Sequence, residues 1–142
     1  MAMDKKNIYR IIDVNLNRAR EGMRVVEEVA RFYYNNAQLS SQFKALRHDL
    51  TKVAKKSFDQ DMLLSFRDSL KDVGADSMSG LEKKRADIHS IVQANLRRSQ
   101  EAARVLEEFG KLVKPDSARS FKRIRFKLYT LEKEILRMTN DQ

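Results

Sequence analysis

The chain has 142 residues, 42% of them hydrophobic, which suits one domain with a sizeable core. Lysine and arginine number 29 against 20 aspartates and glutamates, and the net charge of +9 favours an anionic partner such as a phosphate ester or nucleic acid. The absence of cysteine excludes disulfides and thiolate zinc sites and agrees with a cytoplasmic protein. No apolar run is long enough for a membrane span, and the first residues lack the apolar centre of a signal peptide.

One proline and four glycines leave few turn signals, so the sequence favours long helices over strands. We expect four long helices, one short helical turn and a long loop at Arg67–Gly80, which holds two of the glycines. The predicted helices are about Asp4–Tyr34, about Ser41–Ser57, the short Asp61–Phe66, a third long helix that begins between Glu82 and Asp87 and ends near Leu112, and a fourth from Asp116 or Ser117 to about Thr139.

The first and third long helices repeat each other. Asn15–Phe32 and Asn95–Leu112 share eight of 18 residues in register, where about one is expected by chance. The partner helices also repeat, at Phe43–Val53 and Phe121–Leu131.

Each half is therefore a helical hairpin that cannot bury its apolar face alone. The sequence predicts an all-α, four-helix bundle with pseudo-twofold symmetry in a single domain, residues 1–142. Repeat one covers about residues 4–58, a loop covers 59–82, and repeat two covers about 83–140.

Helical wheels place polar residues on or beside the apolar face of all four helices. An inward arginine needs a carboxylate or a bound anion, and its guanidinium fork suits phosphate oxygens. We therefore expect these side chains to line a phosphate site: Asn15, Arg18 and Arg47 in repeat one, and Asn95, Arg98 and Arg125 in repeat two.

Ion pairs within the protein are the competing explanation for these arginines. The carboxylates that could neutralise them lie on the same helices, at Glu21, Glu28, Glu101 and Glu108. The doublets Glu27–Glu28 and Glu107–Glu108 are expected to form a solvated face with local helix pairing.

The loop Arg67–Gly80 carries a second polar cluster. Arg67, Asp68, Asp72 and Gly74 combine cations, carboxylates and a permissive glycine, a mixture that suits closure over a nucleotide with Mg²⁺ held by Asp68 or Asp72. An ordinary polar surface loop is the alternative interpretation.

Six motifs follow one another along nearly the whole chain. They are Asn15–Phe32 (NLNRAREGMRVVEEVARF), Lys44–His48 (KALRH), Asp72–Gly74 (DVG), Arg85–Asp87 (RAD), Asn95–Glu108 (NLRRSQEAARVLEE) and Arg125–Lys133 (RFKLYTLEK). This succession resembles the small helical domain that is often fused to the N-terminus of thiamin phosphate synthase and is described as a hydroxymethylpyrimidine phosphate kinase.

The resemblance implies phosphoryl transfer from ATP, with Mg²⁺, to a phosphorylated pyrimidine in thiamin biosynthesis. In that activity Arg18, Arg98 and Asp72 are the expected catalytic residues, and Asp72 and Asp68 the expected Mg²⁺ ligands. The expected binding residues are Asn15, Arg47, Arg67, Gly74, Arg85, Asn95 and Arg125. The chain lacks βα repeats, so the barrel activity of the synthase itself is not expected.

Other functions stay open at this point. The domain could bind a phosphorylated ligand without catalysis, as a structural or regulatory partner of thiamin phosphate synthase. A helical enzyme whose arginines clamp a dicarboxylate also fits the spacing. A nucleic-acid module is disfavoured, because it would place its arginines on one exposed face. Self-association is compatible with the sequence.

Overall fold

The computed structural model describes residues 2–76 and 85–140, and these ranges contain helices and no β-strand. The prediction of an all-α fold is confirmed for them. The helices are α1 (Ala2–Glu28), which continues into a π-helical turn (Val29–Tyr33), α2 (Ala37–Ser57), α3 (Gln60–Ser65), α4 (Ile88–Gly110) and α5 (Ser117–Asn140). Residues 77–84, which include the end of the predicted loop, lie outside the described ranges.

Side-chain caps fix the starts of three helices. Asn36 accepts a hydrogen bond from the backbone N–H of Leu39 at 2.9 Å, so α2 begins before the predicted Ser41. Asp59 caps α3 in the same way. Asp87 accepts from the N–H of Ser90 at 2.8 Å, and the hydrogen bonds from Ser90 lower the pKa of the Asp87 carboxyl.

The apolar period predicts an α-helix that continues to about Tyr34, but the α-helix ends at Glu28. The N–H of Tyr34 donates to the carbonyl of Val29 at 3.0 Å, and that of Asn36 donates to Ala30 at 2.8 Å, which widens the last turn. Asn35 then adopts a left-handed φ of 54°, a conformation that asparagine tolerates well. The chain turns there into α2.

The four long helices pack in a closed cycle. α1 contacts α2, α2 contacts α5, α5 contacts α4, and α4 contacts α1, while the short α3 rests on α1. Both predicted hairpins therefore form, and the broadest contact, between α1 and α4, joins the two halves. The core between them includes Ile12, Met23, Phe43, Leu106 and Phe121, all fully buried. A pseudo-twofold bundle stays a prediction.

Small residues set the distance between α1 and α4. A Cβ on Gly22 would lie 2.2 Å from Ser99 Oγ and 2.6 Å from the backbone oxygen of Asn95. Ser99 is fully buried, and its hydroxyl donates to the backbone oxygen of Ala19 at 2.9 Å. The helix backbones therefore approach closely at this point, and the position of Gly22 has no room for a side chain.

Substituting Gly22→Ala tests this close approach. In an exposed helix the change gains about 1 kcal/mol, but here overpacking should lower the free energy of unfolding by about 1–3 kcal/mol, measured by urea denaturation. The double variant G22A/S99A removes the hydroxyl but not the Asn95 oxygen. Adding G22A to the S99A protein should therefore lower the free energy of unfolding by less than adding it to the unsubstituted protein. A more stable G22A protein would show that the crossing is loosely packed.

Candidate functional site

Two arginines that the wheels placed inward form ion pairs with glutamates on the neighbouring helix. Arg47 donates from Nε and Nη2 to the two oxygens of Glu27 at 3.0 and 3.4 Å. Arg125 makes the same two-point contact with Glu107, at the equivalent place in repeat two. All four side chains are at most 16% exposed. Each pair therefore links the two helices of one hairpin.

The expectation that both glutamate doublets form a solvated face is wrong for one member of each doublet. Glu27 and Glu107 are buried because they reach across to α2 and α5. Glu28 and Glu108 pair on their own helix with Arg24 and Arg104 at 3.0 Å, and the same arginines also approach Glu27 and Glu107 at 3.8 and 3.5 Å. The internal partners proposed for Arg47 and Arg125 were thus the wrong carboxylates.

The Arg125 pair carries an aromatic contact that the Arg47 pair lacks. Its guanidinium lies 5.0 Å from the ring centre of Phe126 and 5.8 Å from that of Tyr129, both partly exposed. The hydrogen bond to Glu107, with a second to Tyr129, raises the pKa of Arg125 above its ordinary value. This guanidinium is committed to protein partners.

The two equivalent asparagines bond to their own helices. Asn15, which is buried, donates from Nδ2 to the carbonyl of Ile11 at 2.9 Å. Asn95, half-buried, donates to the carbonyl of Ile91 at 2.8 Å. Their inward position is as expected, and their contact with a ligand stays a prediction.

Arg18 and Arg98 are exposed, so they do not point into the core. Each lies at the edge of its apolar arc, where a long side chain can extend its charged end into water. None of the six predicted Asn and Arg residues lines either of the two clefts described below. The inward placement expected for Arg18 and Arg98 is therefore wrong, and a phosphate site formed by the six residues stays a prediction.

A polar cleft of about 210 Å³ lies instead between α1, the end of α2 and α3. Asp13, Asn17 and Arg20 of α1 line it, together with Arg67, which follows α3. Arg67 donates to both oxygens of Asp13 at 2.6 and 2.7 Å. The Asp13 side chain is 9% exposed and that of Arg67 46%, so the pair closes one side of the cleft towards solvent.

Arg20 is the cation of this cleft without a carboxylate partner among the described residues. Its Nη1 donates to the Asn17 side-chain oxygen at 3.2 Å, and Nε and Nη2 make no bond to the part of the chain that the structure describes. Burial and the nearby Arg47 lower the pKa of Arg20. Asp13 raises the pKa and Arg67 lowers it again. Burial thus disfavours the charged form of this guanidinium more than any neighbouring charge does, and a bound anion would stabilise it.

The two aspartates of the loop stabilise its turns by accepting hydrogen bonds from the backbone. Asp68 accepts from the N–H of Lys71 at 3.1 Å, and Asp72 accepts from that of Gly74 at 2.9 Å. Asp72, Gly74 and Arg85 are exposed. Within residues 2–76 and 85–140 no three metal-binding side chains of His, Cys, Asp or Glu cluster. Mg²⁺ binding by Asp68 or Asp72 stays a prediction.

A second cleft of about 270 Å³ lies between α2 and α5. Its apolar lining includes Ala45, Leu46 and Leu131, and its charged lining residues are Asp49, Glu134 and Lys127. This cleft has no surplus of cations, so it does not suit a phosphate.

The polar set of this cleft was not predicted, because polar residues kept in both repeats were taken as the sign of a site; the set comprises Asp13, Asn17 and Arg20. In repeat two the equivalent positions hold Gln93, Arg97 and Gln100. The sequence feature that indicates this cleft is a set of polar residues that differ between the two repeats. Of the residues that line the cleft, only Arg67 was predicted to bind a ligand.

Comparison with known proteins defines the family. The ThiD2 family model matches residues 10–134. The chain belongs to the ThiD2 family. This confirms the resemblance to the helical domain associated with thiamin phosphate synthase.

Relatives that match nearly all of the chain bear the name thiamine-phosphate synthase. Those of Nostoc punctiforme and Synechocystis are each 44% identical over 91% of this chain, and that of Rhodopirellula baltica is 38% identical over 93%. The match covers only 35–36% of these relatives' own length. No solved structure matches the chain at a significant level. None of the described helices is long and apolar enough to cross a membrane.

The buried ion pairs predict unequal effects for adjacent glutamates. Glu27→Ala leaves the Arg47 charge buried without its partner, so the free energy of unfolding should fall by about 3–5 kcal/mol. Glu28→Ala removes a pair whose side chains are 54% and 40% exposed and should cost at most about 1 kcal/mol. Urea denaturation of both variants measures the difference, and equal losses would contradict the buried role of Glu27.

Proposed function

We propose that this chain acts in thiamin biosynthesis and transfers a phosphoryl group from ATP–Mg²⁺ to hydroxymethylpyrimidine phosphate. Membership of the ThiD2 family and the names of the relatives support the pathway. The observation that carries the phosphate chemistry is the half-buried Arg20, which has no carboxylate partner among the described residues and lines a polar cleft.

The cleft has the donors that a phosphate group requires. Arg20 offers Nε and Nη2, and Arg67 offers Nη1, since its other two nitrogens hold Asp13. Hydrogen bonds from guanidinium groups to phosphate are charge-assisted and directional. A volume of about 210 Å³ suits a phosphate group with part of its ester rather than a whole nucleotide.

The reaction needs little beyond positioning and charge neutralisation. An oxygen of the substrate phosphate attacks the γ-phosphorus of ATP, and the bond from that phosphorus to the bridging oxygen breaks to release ADP. The attacking oxygen is already ionised, so no strong general base is required. In this proposal Arg20 and Arg67 hold phosphate oxygens, Asp72 and Asp68 approach the Mg²⁺ of ATP, and Arg18 and Arg98 reach the transferring group from the surface.

Phosphate binding without catalysis is the second candidate. The chain spans about a third of the length of the relatives it matches, which bear the name of a synthase. A helical domain that holds a phosphorylated pyrimidine for such a synthase would use the same cleft and need no metal ligands.

Turnover separates the two candidates. Purified protein incubated with ATP, Mg²⁺ and hydroxymethylpyrimidine phosphate should form the pyrimidine diphosphate and ADP, detected by phosphorus NMR. Asp72→Asn should slow Mg²⁺-dependent turnover and leave the fold intact. If folded protein at high concentration yields no diphosphate, the kinase is excluded and the binding function is left.

Substitution of Arg20 tests the cleft. Arg20→Gln introduces the residue found at the equivalent position of repeat two and removes the unpaired charge. Pyrophosphate should stabilise the unsubstituted protein against heat, by about 2.7 kcal/mol at a hundredfold excess over its Kd. The variant should bind it about 100-fold more weakly, as the loss of a charge-stabilising contact of about 3 kcal/mol implies.

Two controls accompany this measurement. Arg123→Gln removes an exposed charge of α5 outside the cleft and should leave the pyrophosphate effect almost unchanged. Arg20→Lys should restore binding only in part, because an ammonium lacks the two-point fork. Equal losses in R20Q and R123Q would mean that pyrophosphate responds only to net charge.

A further inference from the structure

Repeat two contains buried polar atoms that have no hydrogen-bond partner in the described part of the chain. Gln100 is 6% exposed, and its Nε2 makes no hydrogen bond to residues 2–76 or 85–140; Oε2 of Glu132 is likewise buried and unbonded within these ranges. A buried donor or acceptor without a partner costs free energy and calls for an explanation. These two atoms belong to different helices, α4 and α5.

The helix register brings Gln100 and Glu132 to one level of the molecule. Six residues join α4 to α5, and the two helices pack against each other, so they run antiparallel. The Arg125–Glu107 pair fixes their register. Gln100 lies seven residues before Glu107, and Glu132 lies seven residues after Arg125. Both are therefore about two turns from the ion pair, in the same direction.

Repeat one verifies this register. The equivalents of Gln100 and Glu132 are Arg20 and Ala54, and both of those residues line the polar cleft. Thr51, which lines it too, corresponds to Tyr129. In the register of the repeats, the unpartnered donor and acceptor of repeat two thus correspond to residues that line the polar cleft of repeat one.

We propose that this position is a second binding site, for the amino-substituted edge of a nitrogen heterocycle. The exocyclic amino group of the ring donates to Glu132 Oε2, and the adjacent ring nitrogen accepts from Gln100 Nε2. In this proposal Tyr129, 40% exposed and one turn from Glu132 on α5, exchanges its contact with Arg125 for stacking on the face of the ring. A 4-aminopyrimidine and an adenine share this donor–acceptor edge.

This site deepens the proposed function and rests on it, since the substrate and ATP of that reaction both carry such an edge. The two repeats then bind different parts of the ligands. The cleft at Arg20 takes a phosphate, and the site at Gln100 reads a base. Phosphate-free ligands are therefore the proper probes for the second site.

A binding role and a structural role for Gln100 predict opposite results. Gln100→Met keeps the length of the side chain and removes a donor that has no partner among the described residues, so the melting temperature should stay the same or rise. The same variant should bind the heterocycle at least tenfold more weakly. A structural role would instead lower the melting temperature.

The experiment titrates the whole chain by calorimetry with 4-amino-5-hydroxymethyl-2-methylpyrimidine, with adenosine and with 5-hydroxymethyluracil. At least one amino heterocycle should bind, the uracil should not, and the amino ligand that binds identifies the source of the edge. Arg20→Gln should retain this binding. If neither amino heterocycle binds, if the uracil binds as well, or if Q100M binds equally or melts earlier, the inference is wrong.

Failure of the kinase gives a different pattern. Absence of diphosphate product together with Gln100-dependent binding of a heterocycle would exclude phosphoryl transfer and retain this site. Normal turnover with unaltered heterocycle binding in Q100M would exclude this site and retain the kinase.

Discussion

The close approach of α1 and α4 at Gly22 and Ser99 is the constraint on which the rest of the structure depends. This contact joins the two hairpins, and it is the broadest helix interface in the described chain. Interiors are packed almost as tightly as organic crystals, so a shift of one backbone moves everything attached to it. Asp13 and Arg20 lie on α1 and Gln100 lies on α4, which means that both candidate binding positions are carried by the two helices held at this crossing.

The second level of organisation is the pair of buried salt bridges that hold α2 to α1 and α5 to α4. A buried ion pair adds little net stability compared with well-packed apolar residues, but each partner strongly requires the other. In this protein the two ion pairs fix the positions of the helices relative to each other. The Arg47–Glu27 and Arg125–Glu107 pairs set the same register in both hairpins, so equivalent residues two turns away face equivalent neighbours. Where the repeats carry different residues at those positions, the same helix arrangement therefore presents different chemical groups.

The helices could be predicted from the sequence because apolar periodicity, the single proline and the repeat all indicate the same arrangement. Asn15 was also placed correctly, since a wheel reports which side of its own helix a residue occupies. The wheel does not report which neighbouring helix offers a partner. For that reason Glu27 was assigned to solvent, although it meets Arg47 across the hairpin, and Arg18 was assigned to a site although its long side chain reaches water. The cleft at Arg20 was missed for a further reason, because repetition was taken as the sign of function there and the cleft is formed by residues that do not repeat.

The asymmetry between the repeats explains how a strongly basic chain could be selective. A net charge of +9 attracts many anions, and an arginine cleft alone distinguishes them poorly, because charge acts over distance and with little direction. Discrimination comes from buried groups that are left unpaired when the wrong ligand binds. In the proposed second site, Gln100 Nε2 and Glu132 Oε2 would be such groups, and they lie in the half that has a glutamine where the other half has Arg20. A duplicated hairpin that kept the cation in one copy and replaced it by an amide in the other would gain affinity from the first and selectivity from the second, with one set of helix contacts supporting both.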